Sequence, residues 1–357
     1  VIAQIEARSP GLQTLNVTSA QHTDLLYPFI RLFDLRIDHD LQVMEPNQTP
    51  NGVCARVITL LDPILEKEEP ELVLVQGDTT TAMAGALAAF HHKIPVGHVE
   101  AGLRSGNVYS PFPEEMNRRL VTQLATYHFA ATEKNRENLL AEGVPDERIF
   151  VTGNPVVDAL KTVIERSAMT PAVEAALAAT AGHKLIVLTT HRRESFGPLL
   201  AENLRVLREF VDRREDVAMV FPVHPNPQVA GPAREILGGH PRIRLIAPLD
   251  YQEFILLVSR AWLVVSDSGG VQEESPTLGK PLLVLRENTE RPEAIHAGVA
   301  KLVGGRPETL AQMLEEVHRD GDWVEKIRRT ENPFGRGDSG KRIADVIAGI
   351  FDDNDAT

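Results

Sequence analysis

Short β-branched apolar runs alternate with longer stretches of helical spacing along almost the whole chain. In the first half the runs are Leu12–Val17, Leu72–Val75, Pro95–Val99, Tyr127–Ala131 and Arg148–Val151. Between them, Val53–Lys67, Thr79–Phe90 and Met116–Thr126 place apolar residues at helical intervals. Residues Arg166–His183, rich in Ala and Thr and carrying Pro171, contain no strand pattern and read as part helix, part linker. A second series follows at Lys184–Thr189, Val217–Pro222, Arg242–Ile246, Trp262–Ser266 and Pro281–Leu285. Strand–helix alternation of this kind predicts parallel sheets. The expected fold is α/β, with two doubly wound, Rossmann-like domains facing a cleft and ligands outside the carboxyl ends of the strands. The boundaries read as 1–165 for an N-terminal α/β domain and 166–340 for a C-terminal α/β domain. Residues 341–357 form a tail whose helix (Ile343, Val346, Ile347, Ile350) is expected to pack back on the first domain.

Composition narrows the function. The 357 residues are enough for two cores, and 43% hydrophobic with 24% charged residues argues against a disordered chain. A formal charge of −13 disfavours nucleic acid or an anionic membrane as the main partner, although a small anion needs only local donors. The single cysteine, Cys54, excludes an intramolecular disulfide and a multi-cysteine zinc site, and suits a reducing compartment. No apolar run approaches the roughly 20 residues of a membrane span. Val1–Glu6 reads as the end of a helix rather than a signal peptide, so the numbering is expected to start beyond a strand and loop.

The candidate chemistry lies at the strand ends. Ser266-Asp267-Ser268-Gly269-Gly270-Val271-Gln272-Glu273-Glu274 follows a strand and opens a helix. Glycines there let backbone N–H groups approach an anion, and Glu274, one turn on, can accept hydrogen bonds from ribose hydroxyls. An ordinary capped βα turn is the alternative. Thr190-His191-Arg192-Arg193-Glu194 sets a histidine beside two arginines, suited to a departing diphosphate or equally to a solvated basic turn. In the first half, Asp78 and Glu100 end strands, and Glu114 opens a helix after Pro113. Asp78 could be an N-cap and Glu114 a first-turn acid, whereas clustered carboxylates could divide acid and base duties. His224 ends a strand in a proline-rich turn, and Phe254 could stack on a base or belong to the core. His91, His92 and His98 lack the spacing of a metal site, and the Gly-x-Gly-x-x-Gly signal of a nicotinamide cofactor is absent.

Together the segments Gln76–Thr81, Gly97–Arg104, Pro113–Arg118, Thr190–Glu194, Ser266–Gly270 and Thr289–Glu293 resemble the non-hydrolysing UDP-N-acetylglucosamine 2-epimerases of bacteria, in family order and across nearly the whole chain. The resemblance implies a glycosyltransferase-B-like fold and C2 inversion between UDP-GlcNAc and UDP-ManNAc, with no metal or other cofactor. UDP would be eliminated to leave 2-acetamidoglucal and then added back. It implies Asp78, Glu100, Glu114 and His191 as catalytic residues. Leu249, Phe254, Ser268, Gly269, Gly270, Glu274 and Arg291 would contact the nucleotide. Gln21, Arg56, Arg192 and His224 match a second UDP-GlcNAc site that regulates family members. A cytoplasmic homodimer serving polysaccharide synthesis is further implied. A hydrolysing enzyme releasing ManNAc, a transferase of the same architecture and an inactive UDP-sugar sensor remain alternatives. The family opens with a strand and a Gly-Thr-Arg-Pro-Glu loop, and the numbering here starts beyond the matching position. Arg336 replaces a usual Asp, with an effect expected on the hinge or tail helix.

Overall fold

The computed structural model describes residues 1–8, 11–20, 23–167, 169–190 and 197–355. It divides into two compact units, Val1–Pro155 with Asp338–Thr357, and Val156–Gly337. The division falls before 165 because the helix Pro155–Arg166 sends Val157 into the second unit's core rather than closing the first.

The first unit contains β1 (Val17–Thr18), β2 (His39–Asp40), β3 (Val73–Gln76), β4 (Val96–Ala101), β5 (Tyr127–Ala130) and β6 (Ile149–Val151). Strands β3-β4-β5-β6 form a parallel sheet in chain order, and β1 pairs with β2 in a separate parallel ribbon. Sequence periodicity starts the first strand at Leu12, but ladder pairing begins only at Val17, opposite His39. Helices Thr80–His91, Glu114–Leu124 and Glu133–Ala141 make the crossovers between β3 and β6. Phe129, fully buried on β5, packs with Val99, Ile5, Ile343 and Ile347. The tail helix Ser339–Asp355 therefore belongs to this unit.

The second unit contains β7 (Lys184–Thr189), β8 (Val217–Pro222), β9 (Ile243–Ile246), β10 (Leu263–Ser266), β11 (Leu282–Val284) and β12 (Ala300–Leu302), all parallel, in the order β12-β11-β10-β7-β8-β9. This is the 3-2-1-4-5-6 order of nucleotide-binding sheets, with its switch point between β7 and β10. Both faces are covered, so β7, β8 and β10 are apolar runs rather than alternating ones (Leu185–Leu188, Val217–Phe221, Leu263–Val265, all buried). Helix Pro198–Arg213 buries Leu200, Leu204, Leu207 and Val211, one face at helical spacing. Edge strand β12, three residues long, is the one strand of this sheet that the sequence pattern did not reveal. Arg336 is exposed and pairs with Glu331 at 3.1 Å, while its carbonyl accepts from Lys161.

Gly102 closes the turn after β4 at φ +88°, and a Cβ there would collide with the backbone carbonyl of Asn135. Gly102→Ala should destabilise the protein by roughly 2 kcal/mol or more, through the backbone conformation and the clash together. The urea midpoint followed by circular dichroism measures it, and an unchanged midpoint would contradict the packing described.

Candidate active site

In the first unit the chemistry gathers at the carboxyl ends of β3 and β4. Gly77 leaves β3 at φ +74°, its N–H donating to the Val99 carbonyl (3.0 Å) while its own carbonyl accepts from His98 Nε2 (2.8 Å). That carbonyl can only accept, so Nε2 carries the proton. Burial holds the His98 pKa down to about 4 and the ring neutral. The two strand ends are thus tied together just before Asp78 and just before Glu100. Glu100 itself sits at φ +69°, a left-handed conformation that side chains other than glycine rarely adopt, where the β4–β5 register slips between Val99 and Ala101. The slip turns its carboxylate over Gly77, whose added Cβ would lie 3.5 Å from Glu100 Oε2, and Asn154 Nδ2 approaches Oε1 at 3.4 Å.

Asp78 does not cap the following helix; Thr79 does, accepting from the Ala82 N–H at 3.3 Å. Asp78 is free for another role. Its carboxylate takes a hydrogen bond from Arg118 Nη2 at 2.5 Å, and its carbonyl takes one from Asn117 Nδ2 at 2.9 Å. The Arg118 side chain is only 4% exposed against 26% for Asp78, so the cation is sealed in while one side of the acid stays open. Arg118 also reaches the fully buried Glu115 (3.3 Å), which accepts from Arg119 (3.2 Å) and from the Ser105 N–H (2.9 Å). The adjacent glutamates of helix Glu114–Leu124 therefore differ. Glu115 is structural, whereas half-buried Glu114 has no side-chain hydrogen bond or ion pair among the described residues.

In the second unit the switch point carries the site. Thr190, just past β7, donates to Asp267 Oδ2 just past β10 at 2.7 Å, both fully buried. Ser268 precedes the helix Gly269–Thr277 but does not cap it with its side chain. The first-turn N–H groups therefore face outward at a glycine pair, a suitable cradle for phosphate. Gly269 has no room for a side chain: a Cβ would meet Arg291 Nη1 at 2.8 Å and Glu290 Oε1 at 3.1 Å. Arg291 lies behind the turn, donating to Glu273 (2.7 Å) and Glu290 (2.5 Å), and Glu290 also pairs with Arg286 (2.9 Å). All four side chains are buried. Glu274 accepts from the Tyr251 hydroxyl at 2.9 Å, and burial pushes its carboxyl up to about 7. Among the described residues, no group of three or more His, Cys, Asp and Glu is placed to hold a metal ion, and no helix is long and apolar enough to cross a membrane.

The sequence model of the UDP-N-acetylglucosamine 2-epimerase family matches residues 4–348. The chain belongs to that family. The UDP-N-acetylglucosamine 2-epimerase of Salmonella typhimurium is 45% identical over 345 residues, 95% of this chain and 92% of that protein. The Bacillus subtilis enzyme of the same name is 41% identical, over 95% of this chain and 88% of its own length. The crystal structure of UDP-GlcNAc 2-epimerase from Neisseria meningitidis bound to UDP-GlcNAc matches with a TM-score of 0.90 at 39% identity, covering 97% of this chain and 94% of that one. Members of the UDP-N-acetylglucosamine 2-epimerase family have the glycosyltransferase-B-like fold, and this chain shares it.

Within this epimerase-family chain, Asp78 and Glu100 lie together at one sheet end, and Glu114 opens the helix whose Arg118 grips Asp78. Ser268, Gly269, Gly270, Glu274 and Arg291 cluster in the second unit. Leu249 and Phe254 flank the helix-capping Asp250 and are half-buried against the core. Arg56 is engaged by the Val43 carbonyl (3.0 Å), Gln48 (3.0 Å) and Glu45 (2.7 Å), and His224 Nδ1 accepts from the Asn226 N–H (3.2 Å). Gln21, His191 and Arg192 lie outside the described residues. Sequence reasoning passed over Arg118, Asn117, His98, Asn154 and Tyr251 as site residues. A basic or amide residue one turn after an opening acid is the one signal that could have pointed to Arg118 and Asn117.

Arg118→Met should cost about 3 kcal/mol, because it takes the buried cation from the fully buried Glu115 carboxylate and leaves it only the half-exposed Arg119. The double variant Glu115→Leu/Arg118→Met should recover much of that in urea denaturation. Additive losses would contradict the pairing.

Proposed function

We propose that the protein interconverts UDP-GlcNAc and UDP-ManNAc without hydrolysing either, by eliminating and re-adding UDP. The observation that carries this reading is the two carboxylates, Asp78 and Glu100, fixed at adjoining strand ends in a chain of this family. The hydrogen on C2 of the sugar is a poor acid. Its removal needs a positioned base and stabilisation of the charge that builds on the departing group. In this reading one carboxylate of the set Asp78, Glu100 and Glu114 takes the C2 proton. The C2–H electron pair becomes the C1=C2 bond of 2-acetamidoglucal, and the C1–O bond breaks with its electrons leaving on UDP. Ser268, Gly269 and Gly270 hold the diphosphate through backbone N–H groups, and His191 donates to it as charge develops. Glu274 takes the ribose. Re-addition of UDP to C1, with a proton delivered to the other face of C2, gives the epimer, so atoms and charge balance over the cycle.

Release of the glucal to water would divert the same first step to hydrolysis, and exclusion of water is what keeps the reaction an isomerisation. The single Cys54 agrees with a reducing compartment, and the reading places the enzyme in the cytoplasm as a homodimer.

Incubation with UDP-GlcNAc in deuterated water, followed by NMR, should give UDP-ManNAc carrying deuterium at C2 with no acceptor present. Asp78→Asn should lose at least about a hundredfold of the exchange rate while still binding UDP. Free ManNAc as the main product would support a hydrolysing enzyme, and UDP-sugar binding without exchange would support a sensor.

A further inference from the structure

Glu274 is almost completely enclosed, yet only one of its two carboxylate oxygens is engaged by protein. The carboxylate reaches back from the second turn of its helix toward the helix opening, where Oε1 lies 3.9 Å from the Cβ position of Gly270. Tyr251, first residue of helix Tyr251–Ser259, donates its hydroxyl to that oxygen at 2.9 Å. Oε2 has no hydrogen-bond partner among the described residues. A buried carboxylate offers about four acceptor positions and is costly to leave unmatched. The one donor present holds Oε1 beside the helix opening and restricts how the carboxylate can turn, so that Oε2 and the second lone pair of Oε1 remain for a ligand. Two adjacent hydroxyls fit those positions, one on Oε2 and one on the remaining lone pair of Oε1.

We propose that Tyr251 is a specificity-determining residue that locks Glu274 to recognise a vicinal diol, so that the nucleotide site selects ribonucleotides over 2′-deoxyribonucleotides. This rests on the second unit binding UDP as read above. A site built around hydrogen-bonding hydroxyls rejects a ligand that lacks one, since a buried acceptor is then left unmatched. In this proposal Tyr251 acts through Glu274 and is a positioning residue.

The electrostatics provide a second readout. Burial raises the Glu274 carboxyl to about 7, the Tyr251 hydrogen bond and Arg291 oppose that rise, and neighbouring Glu273 reinforces it. Glu290 and Arg286 complete the charged set behind the turn. Hydroxyl donors favour the ionised carboxylate, so diol binding expels a proton and UDP affinity should increase as pH rises through about 7. Removing the Tyr251 hydroxyl removes one influence holding the pKa down, so the midpoint should move upward.

The test is calorimetric binding of UDP and 2′-deoxy-UDP to the full chain and to Tyr251→Phe between pH 6 and 8.5. The wild type should prefer UDP by at least about tenfold at pH 8. Tyr251→Phe should retain its melting temperature within a few degrees, keep its affinity for 2′-deoxy-UDP and lose affinity for UDP. The preference should then fall to about threefold or less, with the pH midpoint raised. A variant that keeps the full preference, or weakens both ligands equally, overturns the inference. A wild type that binds UDP without preferring it over the deoxy form overturns it too. Failure of the wild type to bind UDP at all would instead overturn the nucleotide reading on which it rests.

Discussion

All-parallel strand pairing is the constraint from which the rest of the structure follows. A parallel sheet needs a crossover for every strand, and helices cover both of its faces. Polar side chains then have only the strand ends at which to reach solvent or ligand. Each unit obeys this: Asp78 stands past β3 and Glu100 within the last residues of β4, and Thr190, Asp267 and Ser268 stand past β7 and β10. Among the described strands the order reverses in the second sheet, and the glycine turn is found at that reversal.

The two units handle buried charge in opposite senses. In the first, an enclosed arginine sits behind a half-open acid, so Arg118 and Glu115 form a fixed frame and Asp78 presents its free side outward. In the second, the arginines are consumed by glutamates. Arg291 and Arg286 with Glu273 and Glu290 form a buried four-membered network against which Gly269 is pressed. Arg291, expected from the resemblance to touch nucleotide, has Nε and Nη1 bonded to two carboxylates, which shapes the turn. The left-handed Glu100 and the neutral His98 beneath Gly77 add a further layer, in which the backbone is fixed before the acids are placed.

Much of this was legible in the residues. The strands of both main sheets follow from β-branched runs, and the site segments from polar groups that interrupt them. Leu12–Asn16 misled because an apolar run without a partner strand forms no ladder, and β12 was missed because three residues carry too little periodicity. The positioning residues were hidden for a different reason. Arg118 acts on Asp78 across 40 positions of sequence and Tyr251 on Glu274 across 23, and no local pattern marks such pairs. Two neighbouring glutamates, 114 and 115, look alike in sequence; only the helix phase separates an inward structural acid from a half-exposed one.

The central claim is that carboxylate-driven loss of the C2 proton is coupled to cleavage of the bond between C1 and the diphosphate oxygen. Positional isotope exchange tests it most directly, using UDP-GlcNAc labelled with oxygen-18 in the bridge between C1 and the β-phosphorus. Transient release of UDP lets the β-phosphate rotate, so the account predicts that label migrates into non-bridging positions as UDP-ManNAc appears. Epimerisation with the label held entirely in the bridge would contradict it.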